Sequence, residues 1–206
     1  MLIENICGYL YDLFITNKKP MNTENMHRVC PVERAKGLDN FIRKYLQNPT
    51  KLLGPYIQPD MTFLDLGCGP GFFTIEVAKM INGKGKVIAT DLQDGMLEIV
   101  RKKIANTPLE QRVVLNKCSE SSINVSEPVD FILAFYMIHE VPDKERLFRE
   151  MSAILKKNGL LFVIEPKYFV SKREFSKMIT IAKEHGFQPV ANPRVHFGTT
   201  VLMNKI

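Results

Sequence analysis

The sequence lacks several features that would assign the chain to a specialised class of protein. Only four cysteines are present and no two of them form a C-x-x-C pair, so we expect no metal site and no redox motif. No apolar run approaches the ~20 residues of a membrane-spanning helix. Internal repeats and low-complexity tracts are also missing. These absences favour a globular protein of a reducing compartment, and we expect it in the cytoplasm.

The composition is that of an ordinary globular domain. Of the 206 residues, 45% are hydrophobic and 24% are charged, which is enough apolar material for one sizeable core. The net charge of +6 is compatible with an anionic substrate or with nucleic acid. However, the basic clusters, such as Arg101-Lys102-Lys103, fall on predicted helix faces or ends, where such charges are usually solvated. We therefore expect no nucleic-acid partner.

Residues 1–20 stand apart from the rest of the chain. Apolar residues at helical spacing, from Leu2 to Phe14, predict an amphipathic helix. Its low charge and the lack of small cleavage-site residues argue against a signal peptide. We expect this helix to pack on the domain or on a second subunit, which leaves a homodimer open. Binding to a membrane surface is the alternative.

The most informative stretch of the chain joins a predicted strand to a predicted helix. Residues 62–66 are short, mostly apolar and followed by glycine, which predicts a buried parallel strand. Gly67, Gly69 and Gly71 then alternate, and glycine allows positive φ and lets a ligand lie directly on the backbone. The helix that begins at Phe72 points unpaired N–H groups at this turn, a good place for a ligand carboxylate.

The spacing of the glycines indicates which ligand binds. A dinucleotide fingerprint would need a third glycine at the position of Phe72. The run D-x-G-x-G-x-G from Asp65 to Gly71 instead resembles motif I of the class I S-adenosylmethionine-dependent methyltransferases. A second acidic residue, Asp91, closes the next strand, where a carboxylate can accept hydrogen bonds from both ribose hydroxyls. The alternative is a Rossmann-like fold that binds NAD or nothing.

The order of the predicted elements agrees with this resemblance. Strands and helices alternate from residue 62 onward, which is typical of an α/β domain with a parallel sheet. The resemblance implies a Rossmann-like class I methyltransferase fold with sheet order 3-2-1-4-5-7-6, helices on both faces and only strand 7 antiparallel. It also implies that residues 1–57 form an N-terminal helical leader and lid, and that residues 58–206 form the S-adenosylmethionine-binding domain.

Local signals predict where several elements end. An apolar helical stripe over residues 38–46 predicts a helix that ends at Asn48-Pro49. A helix from Asp143 is expected to continue to Asn158-Gly159, so that the fifth strand covers residues 160–165. The other strands after the glycine turn are predicted at residues 86–90, 111–116, 129–135, 187–195 and 199–205.

Ligands of open α/β sheets bind beyond the carboxyl ends of the strands, so the candidate cofactor-binding residues lie there. The resemblance implies that S-adenosylmethionine binds and leaves as S-adenosylhomocysteine. Cys118, Ser119 and Glu120 match by position the place where the family grips the adenine amino group with a polar side chain and a backbone N–H. Phe72 and Phe73 are candidates to face the sulfonium. The predicted cofactor-binding residues are Asp65, Gly67, Cys68, Gly69, Gly71, Phe72, Asp91, Leu92, Met96, Cys118, Ser119, Glu120, Ala134 and Phe135.

The end of the fourth strand indicates a small-molecule acceptor. Methyltransferases of exocyclic amino groups in nucleic acids typically carry an Asn/Asp-Pro-Pro-aromatic run there, whereas this chain has Phe135-Tyr136-Met137-Ile138. That run is more similar to the ubiquinone/menaquinone-type branch, in which a histidine often follows. We therefore expect His139 to act as a base, with Glu165 and Tyr136 as further catalytic residues facing the same crevice.

The sequence thus predicts an enzyme that moves a methyl group from S-adenosylmethionine to a small molecule by in-line displacement. An RNA or protein methyltransferase, or a non-catalytic S-adenosylmethionine-binding protein, is the alternative. Cys30, Cys68 and Cys118 also suggest a thiol or metalloid acceptor held by sulfur, although a free cysteine is usually a small buried hydrophobe.

Overall fold

A computed structural model describes Val32 and residues 41–206 of the chain. The predicted leader helix of residues 1–20, and the predicted lid before residue 41 apart from Val32, lie outside the described residues. The described helices are α1 Phe41–Leu46, α2 Pro49–Leu53, α3 Phe72–Met80, α4 Asp94–Ile104, α5 Lys144–Ile154 and α6 Lys172–Glu184. The described strands are β1 Thr62–Leu66, β2 Lys86–Asp91, β3 Val113–Lys117, β4 Val129–Phe135, β5 Leu155–Pro166, β6 Phe187–Ala191 and β7 Gly198–Lys205.

One sheet organises the described residues, and its strand order is β3-β2-β1-β4-β5-β7-β6. β1 lies in the middle, where it pairs in parallel with β2 on one side and β4 on the other. β7 runs antiparallel to both of its neighbours, β5 and β6. The predicted Rossmann-like methyltransferase fold is therefore confirmed, including its single antiparallel strand.

Apolar layers cover both faces of the sheet. On one face Phe63 packs with buried residues of α3 and α4, and its ring stacks on Phe131 with centroids 4.9 Å apart. On the other face Leu64 and Leu66 pack with buried residues of α5 and α6. Strands covered on both faces are nearly all apolar, because neither set of alternate side chains meets water. Asp65 is therefore an exceptional residue in β1, and it marks the end of the strand nearest the glycine turn.

The junction between α5 and β5 differs from the prediction. α5 ends at Ile154, and β5 already begins at Leu155. Asn158 and Gly159, which were predicted to end the helix, instead lie inside β5 near a shift in the pairing between β4 and β5. Asn158 has a φ of 61°, so this pair does introduce a backbone irregularity, but within a strand.

Other element boundaries move by a few residues. β3 begins at Val113 rather than residue 111, because Pro108–Gln111 forms a 3₁₀ turn. β6 already ends at Ala191, and Gly198 is the first residue of β7 rather than part of the connection. Asn48 lies between α1 and α2, and its side chain caps the start of α2. Within Val32 and residues 41–206, no helix is long and apolar enough to cross a membrane.

Candidate active site

A cavity of about 350 Å³ opens at the carboxyl ends of the central strands. Its wall includes the glycine turn after β1, residues that follow β2 and β3, and the loop after β4. Ligands bind at this edge in open α/β sheets. The cavity therefore brings together residues that the sequence placed at four separate strand ends.

The turn between β1 and α3 has a left-handed backbone at each of its alternating glycines. The φ angle is 72° at Gly67, 53° at Gly69 and 85° at Gly71. Residues with a Cβ adopt such angles only at a cost. The N–H groups of Gly67 and Cys68 both donate to the carbonyl of Thr90 in β2, at 2.8 and 2.9 Å. The carbonyl oxygens of Cys68 and Pro70 also accept hydrogen bonds within the fold, so the turn meets a ligand mainly with its bare Cα atoms.

Two of the glycines also allow close packing. A Cβ built on Gly67 would lie 3.0 Å from the Cβ of Met137, so the glycine turn and the loop that carries His139 are in direct contact. A Cβ built on Gly71 would lie 3.0 Å from Cγ2 of Val100 in α4. Gly71 was predicted to bind the cofactor, but it does not line the cavity. Its role in the structure is to let α3 and α4 approach each other.

The N-terminus of α3 is occupied by a carboxylate of the protein itself. Oδ2 of Asp65 accepts a hydrogen bond of 2.6 Å from the hydroxyl of Thr74, and the residue is only 2% exposed. Burial raises the pKa of Asp65 to about 6, and hydrogen bonds from the side chain and backbone of Thr74 act against this rise. The helix end where the sequence predicted a ligand carboxylate therefore already has its anionic partner.

Asp91 lies at the glycine turn, as the sequence predicted. Its Oδ2 accepts a hydrogen bond from the N–H of Gly69 and its Oδ1 accepts one from the N–H of Gln93, both at 2.8 Å. Burial raises the pKa of Asp91, and these two backbone bonds oppose the rise. A carboxylate oxygen can accept more than one hydrogen bond, and this side chain lines the cavity. Asp91 is thus placed to accept hydrogen bonds from two vicinal hydroxyls.

The residues that follow β2 and β3 form a further part of the cavity wall. The backbone N–H of Cys118 donates to the carbonyl of Asp91 at 3.2 Å, and that of Ser119 donates to the carbonyl of Ser122 at 2.9 Å. These two N–H groups are therefore used within the fold. The adenine base of a bound cofactor would meet side chains at this end of the cavity. The predicted residues found here are Leu92, Met96, Cys118, Ser119 and Glu120.

Three phenylalanine rings in the cavity wall surround a cation. Ring centroids are 5.0 Å apart for Phe72 and Phe73 and 4.5 Å apart for Phe73 and Phe135. The guanidinium carbon of Arg43, which α1 contributes, lies 4.3 Å from the ring centroid of Phe72. The corresponding distances are 5.4 Å for Phe135 and 5.8 Å for Phe73. The faces of aromatic rings attract cations, and the cation that this phenylalanine cage holds in the structure is the guanidinium of Arg43.

His139 and Glu165 form a hydrogen-bonded pair beside the cavity. His139 lies in the 3₁₀ turn Ile138–Glu140, and its Nδ1 is 2.5 Å from Oε2 of Glu165. Oε1 of Glu165 accepts a second hydrogen bond, of 2.9 Å, from the N–H of Ile138. A carboxylate can only accept hydrogen bonds, so Nδ1 is the donor of this pair and Nε2 is the ring nitrogen that Glu165 leaves unengaged. The imidazole itself lines the cavity.

Glu165 does not face the cavity, contrary to the prediction. Its side chain is fully buried at the end of β5, and it is absent from the cavity wall. The reason is that the N–H of Ile138 and the ring of His139 both bond to its carboxylate and cover it. Glu165 can therefore act on a ligand only through His139.

Glu140 places a second acidic group next to the imidazole. Its Oε1 lies 3.9 Å from Nε2 of His139, and its side chain is 23% exposed. Burial raises the pKa of Glu140 to about 7, while His139 lowers it and Glu165 and Asp91 raise it further. Perturbed carboxyl groups of this kind cluster at functional sites, since burial at a cleft disfavours the ionised form.

Tyr136, predicted as catalytic, ties α1 to the cavity wall. Its hydroxyl accepts a hydrogen bond of 3.2 Å from Nε2 of Gln47, the residue that follows α1, and lies 3.5 Å from the carbonyl of His196. Burial raises the pKa of Tyr136 to about 12, with Arg43 and the Gln47 hydrogen bond opposing the rise. The phenol therefore stays protonated at neutral pH, and the structure shows it holding the wall together.

Some predicted residues lie elsewhere, and the sequence missed others. Ala134 is fully buried in the apolar layer against α5 and α6 and does not line the cavity. Arg43, Met137, Arg146 and Phe169 do line it, although the sequence did not single them out for the site. Met137 and Phe169 follow the ends of β4 and β5, and those positions were usable signals. Arg43 and Arg146 carry no local signal, because long-range packing brings them to the cavity.

Cys68 and Cys118 both line the cavity, but as protonated thiols. Burial raises the pKa of both, and that of Cys118 reaches about 11. Thiols bind metals and metalloids as thiolates, so burial disfavours that role here. Cys30, the third member of the suggested set, lies outside the described residues. In the described part of the chain, no three His, Cys, Asp or Glu side chains are grouped to hold a metal ion.

Comparison with proteins of known sequence identifies related domains. Residues 63–159 match a family model described as a methyltransferase domain. The demethylmenaquinone methyltransferase of Lactobacillus johnsonii is 29% identical over 103 residues, which are 50% of this chain and 42% of that protein. The ubiquinone/menaquinone biosynthesis C-methyltransferase UbiE of Shewanella oneidensis is 27% identical over 122 residues, 57% of this chain and 49% of that protein. The matched region thus spans less than half the length of each relative.

Solved structures share the fold over most of the chain. A SAM-dependent methyltransferase from Aquifex aeolicus superposes with a TM-score of 0.75 at 25% identity, covering 85% of this chain and 99% of that one. The [4+2]-cyclase SpnF has a TM-score of 0.64 at 15% identity, covering 77% of this chain and 80% of that one. The fold alone therefore does not fix the chemistry, which has to be argued from the site.

The strand order and the glycine turn are similar to those of the class I S-adenosylmethionine-dependent methyltransferases, and residues 63–159 match a methyltransferase domain. The demethylmenaquinone and ubiquinone/menaquinone methyltransferases named above are similar to part of this chain, at less than 30% identity. The residues present fit the cofactor: the glycine turn allows a close approach to its backbone, Asp91 offers a carboxylate to a ribose diol, and the phenylalanine rings present faces that attract a cation.

Proposed function

We propose that the chain transfers the methyl group of S-adenosylmethionine to a small-molecule acceptor whose nucleophile arrives protonated. The observation that carries this proposal is the His139–Glu165 pair, whose imidazole lines the same cavity as the glycine turn. Methyl transfer needs a base only when the nucleophile still carries a proton. A buried carboxylate that fixes the tautomer of an imidazole has no evident use in a protein that merely binds the cofactor.

The first task of the protein is to orient the cofactor. When bound, S-adenosylmethionine supplies an electrophilic methyl group on a sulfonium sulfur. Asp91 would accept hydrogen bonds from the ribose, and Phe72 and Phe135 would face the positive charge. Alignment of reacting groups can contribute about 7–11 kcal/mol to a reaction of this kind. We therefore assign most of the catalysis to positioning and to the exclusion of water from the cavity.

The second task is to take the acceptor's proton. In our proposal that proton moves to Nε2 of His139, while Nδ1–H remains bonded to Glu165, which stabilises the resulting imidazolium. The ring of Phe169 meets the imidazole edge to face, with centroids 5.0 Å apart, and helps to hold its plane. Glu165 is thus a positioning residue, and His139 is the group that contacts the acceptor.

The surroundings of the base favour an uncharged, weakly acidic acceptor. Glu140 would repel an anion once it is ionised, whereas Met137 and Phe169 provide apolar surface for a ring. Phenols, enols and quinols have this character. The relatives named for demethylmenaquinone and for ubiquinone/menaquinone biosynthesis support a quinol-type acceptor, at less than 30% identity.

Three broader assignments belong to the same proposal. We place the protein in the cytoplasm, since free cysteines suit a reducing compartment. We keep the division into a lid of residues 1–57 and a cofactor-binding domain of residues 58–206. A homodimer is also proposed, and light scattering of the full chain would test it.

Cofactor binding is the first test. Isothermal titration calorimetry of the full chain should show micromolar binding of S-adenosylmethionine and S-adenosylhomocysteine. NAD should give no heat under the same conditions. Binding of NAD, together with no heat of binding for S-adenosylmethionine, would overturn the proposal.

The acceptor and the base are tested together with methyl-labelled cofactor and a panel of quinols, phenols, enols, thiols and amines. With the accepted compound, His139→Ala should lower kcat by about 10²–10⁴-fold. Glu165→Gln should leave cofactor affinity unchanged, lower kcat and move the pH profile of kcat, because the imidazolium loses its anionic partner. A matched control, the exposed Glu184→Gln, should change none of these. Unchanged kcat in both the His139 and the Glu165 variants would contradict the assigned roles.

A further inference from the structure

The end of β5 carries an exposed tip next to the cavity. The N–H groups of Phe169 and Val170 both donate to the carbonyl of Pro166, at 3.1 and 2.9 Å, which closes a tight turn. This turn directs Phe169 into the cavity wall and buries Val170. Lys167 and Tyr168 are left at its tip in solvent, and Tyr168 is 59% exposed. The turn therefore presents an aromatic ring and a cation outward on the far side of the residue that contacts His139.

A second loop adjoins this tip. The N–H of Lys167 donates to the carbonyl of Phe197 at 2.9 Å, so the pairing of β5 with β7 continues one residue beyond Pro166 and Gly198. Phe197 is 46% exposed and lies directly opposite Lys167, the residue before Tyr168. Phe197 and Tyr168 are thus two exposed aromatic residues on neighbouring segments at the same edge of the sheet.

The charged residues of these segments are mostly basic. We define the docking rim as six exposed residues of these segments and of the start of α6: Lys167, Tyr168, Lys172, Arg173, Arg194 and Phe197. No acidic residue occurs in residues 166–173 or 186–206. The nearest acid in sequence, Glu174, is engaged in the capping box of α6, where it accepts hydrogen bonds from Ser171. The rim is therefore a basic surface with aromatic residues set among the cations.

We infer that the docking rim binds the surface of an anionic membrane. Aromatic side chains enter the interfacial layer of a bilayer, and nearby lysine and arginine side chains bind its anionic headgroups. The opposite charges are complementary, since the rim is basic and the cytoplasmic leaflet is negative. Because Pro166 and Phe169 of the same turn line the cavity, a docked molecule would present the His139 end of the cavity to the membrane.

Lipid fits these observations better than RNA. Proteins that bind single strands combine aromatic platforms with a positively charged groove that follows the phosphate backbone. The rim has its aromatic residues at exposed tips, where Lys167 precedes Tyr168 in the turn and is bonded through its N–H to the carbonyl of Phe197. The adjoining cavity wall, Phe135-Tyr136-Met137-Ile138, also lacks the polar run that would hold a nucleobase amino group.

The inference is tested by sedimentation of the full chain with vesicles. Wild-type protein should bind vesicles that contain phosphatidylglycerol and should not bind vesicles of pure phosphatidylcholine, and salt should weaken the binding. The double variant Tyr168→Ser/Phe197→Asn removes the aromatic residues, and asparagine tolerates the positive φ of 61° at position 197. The double variant Lys172→Glu/Arg173→Glu reverses two rim charges. Each should weaken binding to anionic vesicles at least about tenfold.

Matched controls lie away from the rim. Lys157→Glu/Lys183→Glu makes the same change in net charge at the opposite edge of the sheet, and Val190→Ser removes an exposed apolar residue from β6. These controls should bind anionic vesicles like the wild type. All variants should keep their affinity for S-adenosylmethionine, which shows that they are folded.

Several outcomes would overturn the inference. One is the absence of wild-type binding to anionic vesicles. Another is rim variants that bind like the wild type, which would assign the binding to another part of the chain, since residues 1–40 are unchanged in every variant. A third is binding of single-stranded RNA, but not vesicles, that is lost in the rim variants. Methyl transfer is not measured in this experiment, so its failure would leave the proposed function untouched.

Discussion

Glu140 gives the folded chain a stability that depends on pH, and this can be measured. The substitution Glu140→Gln replaces the carboxyl with an uncharged group of nearly the same shape, which imitates the protonated acid. Burial raises the pKa of Glu140 from 4.5 to about 7, so the folded state holds this proton more tightly than the unfolded state does. Wild-type protein therefore loses stability as the pH rises through this interval, whereas the Gln variant does not.

The size of the effect follows from the two pKa values. Their difference of about 2.5, at about 1.36 kcal/mol for each pKa unit, corresponds to about 3 kcal/mol. Below pH 4.5 the carboxyl is protonated in both states, so wild type and Glu140→Gln should have similar free energies of unfolding. Above pH 7 the variant should be more stable by up to about 3 kcal/mol, because the wild type then has to bury an anion.

Urea denaturation at a series of pH values between 4.5 and 8.5 measures this difference directly. Glu184→Gln, at the end of α6, is the control, because its side chain is exposed and the substitution should give no pH-dependent difference. A Glu140→Gln variant whose stability relative to wild type is the same at every pH would refute the assignment. A variant that loses stability as the pH rises would refute it more strongly, since the sign would be reversed.

Three further substitutions test other parts of the structure. Asp91→Asn should weaken S-adenosylmethionine binding by about tenfold or more in calorimetry, because charged hydrogen bonds to the ribose are lost. The control Asp94→Asn, on the exposed start of α4, should not weaken binding. Equal effects of the two substitutions would contradict the ribose assignment. Phe72→Leu should reduce the preference for S-adenosylmethionine over S-adenosylhomocysteine by about threefold, since only the former carries a sulfonium. An unchanged ratio of the two Kd values would exclude a role of the phenylalanine cage in binding the sulfonium. Ser171→Ala should lower the free energy of unfolding by about 1 kcal/mol in urea through loss of the α6 cap, and no change would mean that the capping box contributes little.

Much of the fold follows from short-range signals in the sequence. Apolar strands alternate with amphipathic helices from residue 62 onward, and each signal lies within about a dozen residues. The wrong boundary at Asn158-Gly159 shows the limit of such signals. An asparagine and a glycine can form a helix end or a strand irregularity, and the pairing of β5 with β4, which decides between them, is set by distant residues.

The site likewise has parts that the sequence predicts and parts that it does not. The glycine turn and Asp91 are predictable, because a strand end and a motif place both of them on one edge of the sheet. The hydrogen bond between His139 and Glu165 is not predictable from the sequence, since the two residues are 26 positions apart and follow or end neighbouring strands. The approach of Arg43 to the phenylalanine cage depends on how α1 docks, and no periodic pattern in α1 encodes that.

The contact between Gly67 and Met137 has a consequence for how this enzyme could acquire a new substrate. A change of length or shape between residues 136 and 139 would press on the turn that receives the nucleoside, so it would disturb both halves of the reaction at once. The turn at Pro166–Val170 also lines the cavity, but the atoms nearest to Gly67 belong to Met137 and not to this turn. Diversification of the acceptor should therefore be concentrated in that turn, and libraries built to redirect the enzyme are best confined to it.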